Sequence, residues 1–280
     1  MDHAEFKLCM LRVLPPEKQA EANRVALEEN PENLLRSSEE GMSPELGALV
    51  AKKWSLGRVI RVYFMGGDAF VRSKVEQYAH EWERYANIRF HFVNDPTAEI
   101  RIAFDPEAGS WSYLGTDCLS IAPHEPTMNY GWFDQGTSDD EFARTVLHEF
   151  GHALANPHEH QTPAADIPWD VEAVKRYYRG APNFWSDKEI YDNLFYQYLP
   201  KDTVYTAFDP KSIMVYEIPN NLTIGDFEVK GNKELSETDK KFIAAQYPQN
   251  SQSVQMENRD NPFAWASQPR VEEFTHDQSR

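Results

Sequence analysis

The chain predicts an α+β fold: a mixed, twisted sheet with two long helices, followed by an irregular half held together by loops and shorter helices. Three observations support this. Between Arg58 and Phe104 the pattern runs strand, helix, strand, strand. One long helix with a clear start and stop covers Ser138 to Leu154. Beyond it, proline, asparagine and glycine interrupt every periodic stretch until a last helix near Glu237 to Gln246.

Residues 1–51 are charged and rich in Glu, Asn and Pro, and they read as an N-terminal extension or prosegment. A helix is expected over Pro16 to Glu29, stopped by Asn30-Pro31 because the residue before proline avoids the helical region. Val59, Ile60, Val62 and Phe64 then form a strand ending at Gly66-Gly67. Asp68 can cap the helix that follows, which places Phe70, Val71, Val75, Tyr78, Ala79, Trp82 and Ala86 at helical spacing. Ile88, Phe90 and Phe92 alternate with Arg89 and His91, and Ile100, Ile102 and Phe104 with Arg101 and Ala103, which predicts two strands. Trp111 to Leu114 and Cys118 to Ala122 are shorter strand candidates. Ser138 followed by Glu141 is a capping-box pattern for the long helix, and Asn156-Pro157 ends it. Helices near Pro168 to Tyr178 and Asp187 to Tyr198 follow, and residues 249–280 read as a polar linker or disordered tail.

Hydrophobic residues at 41% and aromatics at 13% supply enough apolar surface for a packed core, so the chain is expected to be globular. A net charge of −17 argues against nucleic acid as a partner, since phosphate recognition needs clustered Lys and Arg. No run of eighteen uncharged apolar residues occurs and the N-terminus lacks a signal-peptide core, so no membrane partner is expected; a secreted location after leader removal and a cytoplasmic one both remain open. The expected state is a monomer. Cys9 and Cys118 lack metal-ligand spacing and are read as ordinary thiols.

The segment His148-Glu149-Phe150-Gly151-His152 falls inside the long helix, where residues four apart project from one face and two imidazoles can grip one ion. Catalytic zinc takes three protein ligands and keeps one open position, so a third donor is required. His158 is the leading candidate, six residues after His152 and beyond a helix break; Glu159 and His160 are adjacent alternatives. The spacing matches the metzincin pattern HExxHxxGxxH, except that Ala155 stands where the pattern has glycine. Glycine there enters the left-handed region freely, whereas alanine does so at a cost of about 1 kcal/mol.

The stretch from His148 to His160, HEFGHALANPHEH, resembles the zinc-binding motif of astacin-type metallopeptidases, and Ser212-Ile213-Met214-Val215-Tyr216 resembles their SxMxY turn. Trp54 to Phe104, residues 109–115 and residues 126–129 are similar to the N-terminal lobe of astacin-like bacterial and fungal zinc proteases. The resemblance covers about residues 52–248. It implies a two-lobed metzincin-like zincin domain, with an upper lobe over 52–155 and a lower lobe over 156–248 that contains a Met-turn. It further implies one catalytic Zn²⁺ on His148, His152 and His158, with Glu149 as general base and then acid. By the same resemblance Met214 lies beneath the metal, Tyr216 donates to the developing oxyanion, and the substrate is a peptide or protein. Two departures stand out: His160-Gln161-Thr162-Pro163 replaces the usual sequence after the motif, and two cysteines cannot form the paired disulfides of secreted astacins. His160 is assigned to the surroundings of the metal or to the surface. Other readings are a zinc-binding module without catalysis, holding a partner in the cleft, and a prosegment whose Cys9 or a Glu fills the water position.

Overall fold

In the computed structural model, described for residues 9–34, 51–180, 184–198 and 206–249, a six-stranded mixed sheet is backed by two helices that carry the core. The strands are β1 (Cys9–Arg12), β2 (Val59–Phe64), β3 (Arg89–Phe92), β4 (Ile100–Ala103), β5 (Ser110–Tyr113) and β6 (Met128–Asn129), in spatial order β1-β5-β6-β4-β2-β3. Only the β5–β6 pair is antiparallel. The helices are α1 (Pro16–Glu29), α2 (Ala69–Ala79), α3 (Asp139–Ala153), α4 (Val171–Arg179), α5 (Asp187–Ile190) and α6 (Glu237–Gln246). Among the described residues no helix is long and apolar enough to cross a membrane. The chain divides into two compact units, Met1–Pro248 and Gln249–Arg280; the expected polar tail lies outside the described residues apart from Gln249.

Alternation places Ile60, Val62, Ile100, Ile102 and Met128 in one core with Val75 and Ala79 of α2 and Val146, Leu147 and Phe150 of α3. Two indoles anchor α3 to this core: Trp54 Nε1 donates to Ala153 O (2.8 Å) and Trp82 Nε1 to Leu147 O (3.0 Å). A second cluster, including Val174, Tyr178, Ile190, Leu194, Val215 and Ile218, holds the half of the chain after α3.

Several elements differ from expectation. The strand expected over Cys118 to Ala122 is a 3₁₀ helix over Gly115–Ser120, since Gly115 adopts φ +48° and turns the chain where a strand would have continued. α2 ends at Ala79 and tightens into a 3₁₀ turn over His80–Arg84, with Trp82 still buried. The helix expected through Tyr198 ends early: α5 passes into a π turn over Tyr191–Phe195. Ser138 caps α3 by accepting from Glu141 N–H (3.3 Å), whereas the Glu141 carboxylate serves Arg144 and Trp132. β1 was not expected, and it joins the sheet parallel to β5.

The end of α3 fixes everything downstream. Ala155 adopts φ +68°; its N–H donates to His152 O (2.8 Å) and that of Asn156 to Gly151 O (3.0 Å), the paired bonds of a Schellman cap. Ala155 therefore performs the turn that glycine performs in the motif. Ala155→Gly is expected to raise stability by roughly 0.5–1 kcal/mol by removing the left-handed strain, read as a higher midpoint in urea unfolding with an unchanged m-value.

Candidate metal centre and active site

α3 presents His148 and His152 one turn apart, and the Schellman turn followed by Pro157 brings His158 back beside them. The ligand atoms of these three buried residues all lie within 4.8 Å of one another, with His152 Nε2 and His158 Nε2 3.1 Å apart. His148 Nε2 is buried and has no hydrogen-bond partner among the described residues. Each remaining ring nitrogen is taken: the Nδ1–H of His148 donates to Ile213 O (2.7 Å), that of His152 to Asn156 O (2.8 Å) and that of His158 to Gln161 Oε1 (3.1 Å). This fixes the tautomer in which all three Nε2 lone pairs converge, the arrangement a tetrahedral zinc ion requires. Burial pushes the pKa of His148 and His158 well below the ordinary value and that of His152 down to about 4, so the imidazoles stay neutral and competent to bind metal.

The floor of the site is set by close approach. A side chain at Gly151 would run into the Met214 sulfur, so Met214 packs directly beneath α3 at the HExxH segment. The turn bearing Met214 is anchored from α6: Asp239 accepts from Ser212 Oγ (2.6 Å) and Ile213 N–H (2.8 Å) while closing a capping box with Ser236. Glu159 N–H donates to Met214 O (3.0 Å), joining the third histidine's loop to the same turn.

Glu149 is completely buried. Burial holds its pKa up at about 8, against the lowering effect of a hydrogen bond from the Cys9 thiol and of the Arg144 guanidinium. A cation on the three imidazoles would pull it down again. The Tyr216 ring lies 4.3 Å from that of His158, but its hydroxyl donates to the Cys9 carbonyl of β1. His160 is buried, its Nε2–H donates to Asn193 O (2.8 Å), and its ring stacks on His158 (5.0 Å). It stands outside the three-imidazole cluster. The two cysteines are free and buried. Cys9 and Arg144 are neighbours of Glu149; the sequence reading named Cys9 as a prosegment residue that could fill the water position, whereas it did not bring Arg144 to the site, although its place one turn before His148 carried a positional signal.

Three buried imidazoles on a broken helix, with a glutamate between the first two and a methionine beneath, define a zinc metallopeptidase of the metzincin class. A structure of myroilysin matches this chain at 55% identity, with a TM-score of 0.70, over 71% of this chain and 97% of that one. A crystal structure of myroilysin matches at 45% identity and TM-score 0.57 over 85% and 98% of the two chains. High choriolytic enzyme 1, a hatching enzyme zinc-protease from the medaka fish Oryzias latipes, shares the fold at 18% identity and TM-score 0.51 over 75% of this chain and all of that one. No protein-family model and no curated protein matches the chain. The chain belongs to the astacin-like zinc metallopeptidases, and one Zn²⁺ fits the site of His148, His152 and His158.

Proposed function

We propose that the chain is an endopeptidase in which Glu149 takes a proton from water and returns it to the departing amine, with Tyr216 donating to the oxyanion. The observation that carries this reading is the convergence of three neutral Nε2 atoms on the helix that also carries one buried carboxylate, Glu149. A zinc ion bound there supplies a Lewis acid that makes water more acidic at neutral pH. Glu149 follows a ligand directly in sequence, which keeps it within reach of the water and the scissile nitrogen. The Tyr216 ring packs at a tilt against those of His158 and His160.

Residues 1–51 act as a prosegment in this reading. β1 places the Cys9 thiol against Glu149, with the Arg144 guanidinium as its hydrogen-bond partner, and the Cys9 carbonyl occupies the Tyr216 hydroxyl. Both groups assigned to catalysis are thus engaged by one residue. The catalytic domain then runs from 52 to 248. In this reading a monomer acts on a peptide or protein substrate, and the net charge of −17 argues against a nucleic-acid partner.

The test is hydrolysis of an unfolded protein by the zinc-loaded chain, before and after residues 1–51 are removed by limited proteolysis. Chelation abolishes cleavage and zinc restores it. A folded preparation with one zinc per chain that cleaves nothing in either form overturns the peptidase reading. Cys9→Ser in the full chain is expected to raise basal turnover about tenfold or more, since a hydroxyl is a far poorer metal ligand and acid than a thiol. Equal turnover in wild type and variant rejects Cys9 as the latch.

A further inference from the structure

The loop after the third histidine and the π turn over Tyr191–Phe195 enclose a cavity of about 140 Å³. Of the residues lining it, His160 and Leu194 are buried, Trp169 and Phe195 half-buried, and Asp166 and Gln197 exposed, so it runs from an acidic mouth inward to a histidine. Its aromatic walls are fixed: Trp169 is bridged to Thr223 and meets Phe195 edge to face at 6.0 Å. The inner end adjoins the metal centre, since the His160 ring stacks on that of His158 at 5.0 Å and lies 4.5 Å from that of Tyr216. None of the described residues before Val59 lines the cavity.

The histidine, carboxylate and amide that line it all offer lone pairs. His160 donates through Nε2–H to Asn193 O (2.8 Å), while its Nδ1 is buried and has no partner among the described residues. A buried imidazolium without a counter-charge would be costly, so the ring is neutral and Nδ1 is an acceptor. Gln197 donates through Nε2 to Thr162 O (3.4 Å) and to Ala165 O, which leaves Oε1 for another partner. Among the described residues no lysine or arginine lines the cavity. An unpaired buried acceptor carries a desolvation cost that a donor entering the cavity removes.

We propose that this cavity is a side-chain subsite for arginine in the peptide substrate. A guanidinium carries five donors and no acceptor, and its plane packs on aromatic faces, which matches lone pairs set between Trp169 and Phe195. The inference rests on the peptidase reading for its functional meaning, but occupancy of the cavity is measurable without turnover.

The first measurement uses the zinc-loaded full chain, with n-butylguanidinium as probe and 1-butanol as the neutral control. The ¹⁵N resonance of the bare His160 Nδ1, identified by its loss in His160→Gln, is expected to shift upfield and saturate with the guanidinium alone. Asp166→Lys, a change at an exposed residue, is expected to abolish the shift by placing like charge at the mouth. The second measurement uses the proteolytically activated enzyme and peptides that differ only in carrying arginine, norleucine or glutamate at one position flanking the cleaved bond. At one position arginine is expected to exceed norleucine about tenfold in kcat/KM, the effect of a donor reaching a buried acceptor. Asp166→Lys is expected to lower that ratio about tenfold. No shift with the guanidinium, an equal shift with butanol, or arginine and norleucine within about twofold at every position overturns the inference and leaves the cavity to water. If the parent cleaves no peptide, the peptidase reading fails, while the ¹⁵N shift still decides whether the cavity takes a guanidinium.

Discussion

Glu149→Gln is expected to lower kcat by a factor on the order of 10²–10⁴, the usual contribution of a positioned general base, while zinc remains at one per chain. The amide is isosteric with the carboxyl and leaves the three imidazoles and their carbonyl acceptors in place. Single-turnover cleavage of an unfolded protein, with metal analysis on the same samples, checks both halves. A wild-type rate in the variant would remove Glu149 from the mechanism. The same substitution has a consequence for stability that runs the other way. In metal-free protein, burial raises the Glu149 pKa from its ordinary 4.5 to about 8, so the folded state holds a proton that the unfolded state has released. Wild type therefore loses stability as pH rises from about 4.5 to about 8, and the neutral amide does not. Melting temperatures of the two chelated proteins are expected to diverge across that window, with the variant the more stable at the alkaline end.

His158→Ala is expected to weaken zinc binding by more than about 100-fold, the upper end of what is lost when a mere supporting partner of a ligand is removed. His160→Ala is expected to stay within that 10–100-fold supporting range or below it. The difference follows from geometry: His158 Nε2 lies 3.1 Å from His152 Nε2, whereas His160 turns its Nε2 to Asn193 O and meets His158 only face to face. Competition titration with a chromophoric chelator measures both. If the two variants bind zinc equally, or His160→Ala is the weaker, the third ligand has been misassigned.

The legible part of the site was local. Two histidines and a glutamate within five residues of a helix need only helical geometry to converge, and a broken helix limits where the next donor can come from. A last helix near Glu237 is expected from sequence, yet the Asp239 carboxylate in its first turn also holds Ser212 and Ile213, a duty visible only when α6 is placed beside the turn. His160 is read equally well as exposed or buried from its neighbours; the Asn193 carbonyl, supplied by a π turn more than thirty residues on, decides it.

What the amino-acid sequence settled by itself is the identity of the donors on α3, the position of the helix break and the mixed α+β order, because each depends on spacing along one element and on the short-range limits of proline and capping residues. The tertiary structure alone decided that Ala155 takes the left-handed turn, that the Tyr216 hydroxyl meets Cys9, and that a strand at Cys9–Arg12 enters the sheet beside β5. Those outcomes depend on groups as many as 207 positions apart, whose pairing is fixed by burial and hydrogen-bond satisfaction across the core and leaves no periodic trace in the chain.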